Sequence, residues 1–186
     1  MYEVEVKAHL RNRSSILKKL KDLGYKFSEE LHQVDHIFIP EKISFPPPLG
    51  TPVLRVRKQN NIYLLTLKIS QSGRQDSIER ELEISDGKMM IEIIKLIGYK
   101  EVMMVDKKRI KAKLGDIEIV LDKVKDLGEF VEVEKIVTNE NHEDRKKIQN
   151  ELCDFLESIG ILKDDHLVNH KYDIMLNDAY KKFGVK

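Results

Sequence analysis

The chain has 186 residues, of which 41% are hydrophobic and 35% charged, and its formal net charge is +1. That length buries a good core as one domain or a compact pair, and the near balance of charge argues against a nucleic-acid or membrane-surface binder, which would carry an excess of one sign. A single cysteine, Cys153, excludes an intramolecular disulfide and any multi-cysteine metal site; with no apolar run near ~20 residues and no hydrophobic signal segment, a cytoplasmic protein is expected.

The first seven residues, Met1-Tyr2-Glu3-Val4-Glu5-Val6-Lys7, alternate strictly. Period 2 puts Glu3, Glu5 and Lys7 on one face of a strand and Val4 and Val6 on the other. Ser14 or Ser15 can then cap a helix whose apolar face is Ile16, Leu17, Leu20 and Leu23, with Gly24 ending it. A strand over 32–39 follows. Residues 40–52 hold all five prolines and read as a stiffened connecting loop. Strands are predicted over 53–58, 62–69 and 77–84, the first two joined by a tight turn at Asn60-Asn61. The polar segment Gln71–Asp76 reads as a mobile flap. A helix over 86–97, strands over 101–114, 116–124 and 129–137, and a long helix over 143–158 complete the main body. Within the mixed tail, residues 172–183 read as helical. Three times a Glu-x-Glu strand leads to a helix ending in Leu-Gly-Tyr, Ile-Gly-Tyr or Ile-Gly-Ile, which suggests a strand–helix–strand plan used more than once; it is not a solenoid period.

The alternation of charge recurs. Glu79, Glu81 and Glu83 share a face, as do Glu132 and Glu134; Arg55 and Arg57, and Lys107, Arg109, Lys111 and Lys113, do the same with cations. Carboxylates at i and i+2, about 7 Å apart, repel unless water or a cation lies between them. On any one strand this is a solvated face. Over the set, the opposite face is uniformly apolar (Val4, Val6, Leu54, Val56, Leu82, Ile84, Ile119, Leu121, Val131, Val133). Two architectures fit: an open antiparallel sheet with helices on one side and water on the other, or about eight strands closed into a barrel with the charged face inward. Periodicity leaves both open. In a barrel, cationic strands would hold a polyphosphate while carboxylate strands hold a hard divalent metal against it.

Glu3-Val4-Glu5-Val6-Lys7 resembles the ExExK signature of the CYTH superfamily, the triphosphate tunnel metalloenzymes. The elements that follow keep the order of that family: Leu54-Arg55-Val56-Arg57, Leu65-Thr66-Leu67-Lys68, Glu79-Arg80-Glu81-Leu82-Glu83, Lys107-Lys108-Arg109, and a block from Leu121 to Glu134 similar to the class IV adenylyl cyclase branch. The resemblance runs from residue 2 to about 176, so residues 1–176 are expected to form one CYTH domain and 177–186 a C-terminal tail. It implies an α+β fold: a closed eight-stranded antiparallel tunnel with a charged interior and flanking helices. It also implies an enzyme acting on a triphosphate with Mg²⁺ or Mn²⁺. By position, Glu3, Glu5, Glu81, Asp122, Glu132 and Glu134 would serve the metal, and Lys7, Arg55, Arg57, Lys68, Lys107 and Arg109 the phosphates. Lys7, Glu5 and Glu134 would be catalytic. The implied activity is cyclisation of ATP to cyclic AMP and pyrophosphate. The alternatives are a triphosphatase for thiamine triphosphate, tripolyphosphate or a nucleotide, and a non-catalytic polyphosphate or nucleotide binder. The expected partner is the small-molecule triphosphate, with no nucleic acid and no membrane; a homodimer is left open. Where the family often has Ser-Tyr before a final helix, this chain has His170-Lys171-Tyr172, which puts the closure of one tunnel end in question.

His32 and His36, and again His166 and His170, stand four apart, a zinc spacing on a helix. The first pair lies in a predicted strand, where four residues span about 13 Å, and Asp164-Asp165 before the second reads as a helix cap. Neither pair is expected to bind zinc.

Overall fold

The computed structural model describes residues 2–138, 141–167 and 170–183. Eight strands close into a barrel: β1 (Tyr2–His9), β2 (Leu31–Pro40), β3 (Pro52–Gln59), β4 (Ile62–Gly73), β5 (Asp76–Ile84), β6 (Tyr99–Leu114), β7 (Ile117–Val124) and β8 (Gly128–Val137). Their order around the barrel is β1-β5-β4-β3-β2-β6-β7-β8, every neighbouring pair antiparallel. Closure removes the sheet edges and commits each strand's two faces to different solvents. The alternation read from sequence therefore becomes inside and outside. No helix among the described residues is long and apolar enough to cross a membrane.

Helices α1 (Arg13–Asp22) and α3 (His142–Ser158) cover one flank. Ile16, Leu20, Leu152 and Leu156 pack there on Val4, Val6, Ile119, Leu121, Val131 and Val133. Helix α2 (Gly87–Leu96) lays Ile94 on Phe38 and Val56, with Leu54, Leu65 and Ile84 packed alongside. Helix α4 (Tyr172–Phe183) closes an end of the barrel instead of a flank. Its Tyr172 and Leu176 meet Ile37, Val105, Val124 and Phe130. The end that the sequence left in question is thus plugged.

Two local readings are corrected. The cap of α1 is Asn12, whose side chain accepts the Ser15 N–H; Ser14 and Ser15 lie inside the helix, with the Ser14 hydroxyl on the same Asn12 oxygen. Residues 71–76 are not a flap. β4 runs on to Gly73 and β5 begins at Asp76, leaving only Arg74 and Gln75 between them. Asn60, with φ +49°, makes the expected hairpin turn in a conformation that asparagine tolerates.

The closing seam explains why the Arg74-Gln75 turn is pinned. β1 and β5 share only the register Tyr2↔Ile78 to Val4↔Asp76. Beyond it, Glu5 N–H donates to the Gln75 carbonyl and Leu167 N–H to the Lys7 carbonyl, so residues 166–167 take over the edge that β5 leaves. The Gln75 side chain donates to the Leu167 carbonyl at 2.9 Å, tying the two together. Beneath them Arg145 of α3 donates to both carboxylate oxygens of Asp76 at 2.8 and 3.0 Å. Its guanidinium lies 4.3 Å from the Tyr2 ring. Removing one partner of a buried ion pair costs about 3–5 kcal/mol. Arg145→Ala should lose stability on that scale in urea unfolding followed by circular dichroism; a loss under about 1 kcal/mol would mean the seam does not depend on this pair.

Candidate active site in the barrel lumen

Each strand sends its charged face into a cavity of about 240 Å³. Strand order then sorts the charges. β8, β1 and β5 are contiguous and bring Glu134, Glu3, Glu5, Glu79 and Glu81 to one wall. β4 and β3 on one side and β6 on the other bring Lys68, Arg55, Arg57, Lys107 and Arg109. Lys7, next along β1, lies deeper, towards α4.

On the anionic wall, carboxylate oxygens of Glu3, Glu5 and Glu134 lie within 4.8 Å of one another. β1 and β8 are paired with Glu5 opposite Glu134, and a directly opposed like-charge pair is destabilising by itself. Burial, with Lys68 opposing and Glu79 and Glu5 adding to it, raises the Glu3 pKa to about 7. Burial and then the Glu3 charge raise Glu134 to about 8. Lys68 offsets part of this from across the cavity, with Nζ 2.5 Å from Glu3, 3.0 Å from Glu79 and 3.7 Å from Glu5. Three carboxylates converging in a half-dry space, with one cation between them, are a donor set that fits a hard divalent ion.

The other three carboxylates expected at the metal are held against cations. Glu132 pairs with Lys7 at 2.9 Å and with Arg109 at 2.7 Å. Asp122, fully buried, takes both nitrogens of Arg109 at 2.7 and 2.5 Å. Glu81 sits at the rim, accepting from Thr66 at 2.7 Å and from Arg55 at 3.2 Å. Among the cations, Arg55 also reaches Glu79 at 3.1 Å. Arg57 is locked by two bonds of 2.6 and 2.8 Å to Asp35. Lys107 is looser, 3.8 Å from both Asp35 and Asp122. Burial, with the neighbouring Arg109, pulls its pKa down to about 8.

The inner end is built by residues that sequence reasoning did not select. The Tyr172 ring lies 3.9 Å from Lys7 Nζ and 5.2 Å from Lys107 Nζ. Lys7 also donates to the His170 carbonyl at 3.2 Å. Lys171 donates to Ser70 at 3.1 Å; burial and the Lys68 charge lower it to about 8. Asp35 is the other addition. Arg57 and Lys107 outweigh its burial and hold it well below the ordinary carboxylate range. Its signal was present: Gln33, Asp35 and Ile37 share the face opposite His32 and His36. Those histidines point outward instead, His32 to Asp106 at 2.8 Å and His36 to Glu101 at 2.6 Å.

A family model for the CYTH domain matches residues 1–168. The chain belongs to the CYTH family. A Methanocaldococcus jannaschii protein, provisionally named an adenylate cyclase, is 32% identical over 167 residues, covering 89% of this chain and 93% of its own. A solved Pyrococcus horikoshii structure is 31% identical with a TM-score of 0.75, covering 92% of this CYTH chain and 97% of that one. A Hippeastrum structure, described as a provisional adenylyl cyclase with a dominant triphosphatase activity, shares the fold at 18% identity and a TM-score of 0.58, covering 99% and 96%.

The carboxylate trio gives the metal-free CYTH barrel a pH signature. Glu3 and Glu134 titrate in the folded state near 7 and 8 against an ordinary 4.5. The native state therefore keeps protons that the unfolded chain has lost, and the stability they confer, complete below 4.5, falls away as pH rises through 7 and 8. Glu79, drawn down to about 2 against its burial by Lys68 and Arg55, changes stability only at acid pH, and Lys107 and Lys171 only from about 8 upwards. With metal chelated, the melting temperature should fall between about pH 5 and pH 7.5, and Glu134→Gln should flatten that fall. A wild-type melting temperature that rises over this window would contradict the clustering.

Proposed function

We propose that this CYTH protein is a metal-dependent enzyme acting on a triphosphate held along the lumen, with ATP cyclisation of the class IV adenylyl cyclase type as the first reading. The observation that carries it is the facing of two walls, a carboxylate trio at Glu3, Glu5 and Glu134 and a cation set across from it, around one cavity. The trio of Glu3, Glu5 and Glu134 would hold Mg²⁺ or Mn²⁺, and the ion, when bound, would supply charge neutralisation and Lewis acidity. Arg55, Arg57, Lys107, Arg109, Lys7 and Lys68 would hold the phosphate oxygens. Glu132 and Asp122 orient Lys7 and Arg109 from behind, and Glu81 does the same for Arg55. In the cyclisation, the ribose 3′-oxygen bonds to the α-phosphorus, the bond from the α-phosphorus to the bridging oxygen breaks, and pyrophosphate leaves. Glu134, which makes no ion pair among the described residues and stands opposite Glu5 across the β1–β8 pair, is the group assigned to take the hydroxyl proton. Catalysis here rests on positioning and fixed charge.

Hydrolysis is the second reading, and two observations favour it. The cavity of about 240 Å³ is smaller than the roughly 300–1,000 Å³ that engulfs a whole organic ligand, so it suits phosphates with the rest of the substrate at the mouth. The Hippeastrum neighbour is also described by a dominant triphosphatase activity. A purely binding role fits less well, because a wall of carboxylates beside phosphates weakens binding unless metal joins them.

Phosphorus NMR of the protein with Mg²⁺ and, in turn, ATP, thiamine triphosphate and tripolyphosphate separates these readings. Cyclic nucleotide with pyrophosphate is expected for the first, and orthophosphate identifies the second. Glu134→Gln should abolish either while the fold persists. Absence of turnover with every triphosphate would overturn the enzymatic reading.

A further inference from the structure

Five lysines line the lumen: Lys7, Lys68, Lys107, Lys111 and Lys171. Four of them stand against carboxylates. Lys7 lies 2.9 Å from Glu132, Lys68 2.5 Å from Glu3, Lys107 3.8 Å from Asp35 and Asp122, and Lys111 3.4 Å from Glu118. Lys171 is the exception. Among the described residues its ammonium makes no ion pair, and it donates to a neutral group, the Ser70 hydroxyl, at 3.1 Å. Around it Lys68 and Lys7 oppose Glu5 and Asp173, so no one carboxylate claims the charge. An unpaired cation in a half-dry cavity is costly unless an anion joins it. Position 171 is also where the chain parts from the family pattern, with Lys standing before Tyr172 in place of the common Ser. We propose that Lys171, with Ser70, grips the terminal phosphate of the substrate and makes the site selective for triphosphates over diphosphates, an assignment that rests on the triphosphate reading above.

Place in the fold decides which phosphate this is. Lys171 stands at the head of α4, where its carbonyl accepts the Met175 N–H, and α4 closes its end of the barrel. A row of phosphates entering from the uncovered end brings its terminal member deepest, towards that head. Tyr172, Asp173 and Ile174 line the same cavity, so the N–H end of α4 faces it and favours an anion there. The Ser70 hydroxyl accepts from Lys171, which leaves its own hydrogen to donate to a phosphate oxygen. A terminal phosphate carries about −1.5 to −2 charges at pH 7, more than a bridging one, so an additional cation has its largest effect there. A diphosphate held by the other lumen cations would stop short of Lys171.

Isothermal titration calorimetry in Mg²⁺ tests this with two analogues that cannot turn over. One is ATP with both oxygens between phosphorus atoms replaced by methylene; the other is ADP with its one such oxygen replaced. The wild type should bind the triphosphate analogue at least tenfold more tightly. Lys171→Ser should lose tenfold or more on that analogue and less than twofold on the diphosphate. Ser70→Ala, which leaves the ammonium in place, should lose a smaller part of the same preference. A wild type without the preference, or variants that keep it or weaken both analogues alike, would overturn this assignment and leave the triphosphate reading standing. A wild type that binds neither analogue would overturn both.

Discussion

Closing eight strands with their charged faces inward confines both signs of charge to a space too small for water to screen them. That constraint organises the molecule. An unpaired charge there would cost several kcal/mol, so each buried cation must face a carboxylate or await an anion. Arg57 with Asp35 and Arg109 with Asp122 satisfy this permanently, through two bonds each. The trio of Glu3, Glu5 and Glu134 does not, because Lys68 stands alone between carboxylates that outnumber it. The surplus anion on one wall and the loosely held Lys107 and Lys171 on the other are the two halves of an incomplete charge balance. On the proposed reading, a divalent ion would complete one half and phosphate the other.

The seam between β1 and β5 decides where this can happen. β1 carries Glu3, Glu5 and Lys7 but shares only a short register with β5. Its remaining edge is taken by residues 166–167, which Gln75 holds in place. The chain then enters α4, whose Tyr172 lies against Lys7 and seals the lumen. The strand that carries the carboxylates is thereby tied to the helix that closes the tunnel. On the proposed reading, a triphosphate would reach the lumen from the end that α4 leaves uncovered.

Much of this was written locally in the chain. Period 2 alone put Glu3, Glu5, Lys7, Arg55, Arg57, Glu132 and Glu134 on shared faces, because a strand has only two. It could not choose between barrel and open sheet, since the same alternation serves both. What escaped was set by partners distant in sequence. Gln71–Asp76 reads as a loose polar loop until Arg145, 69 residues from Asp76, and Leu167, 92 residues from Gln75, are brought against it. Asp35 was passed over because β2 brings a single carboxylate inward beside two outward histidines. The helix of α4 was legible from its pattern, but its role as a plug depends on Ile37, Val105, Val124 and Phe130 meeting at one end of the barrel.

The central claim is that metal and triphosphate each supply the charge the other lacks, so that their binding is coupled. Isothermal titration calorimetry of a slowly hydrolysed triphosphate analogue, with and without saturating Mn²⁺ and corrected for the metal–analogue complex in solution, measures that coupling. The account predicts at least about tenfold tighter binding with the metal present, a coupling of about 1.4 kcal/mol or more, and the same factor for Mn²⁺ when the analogue is bound first. Equal affinity with and without metal would contradict it.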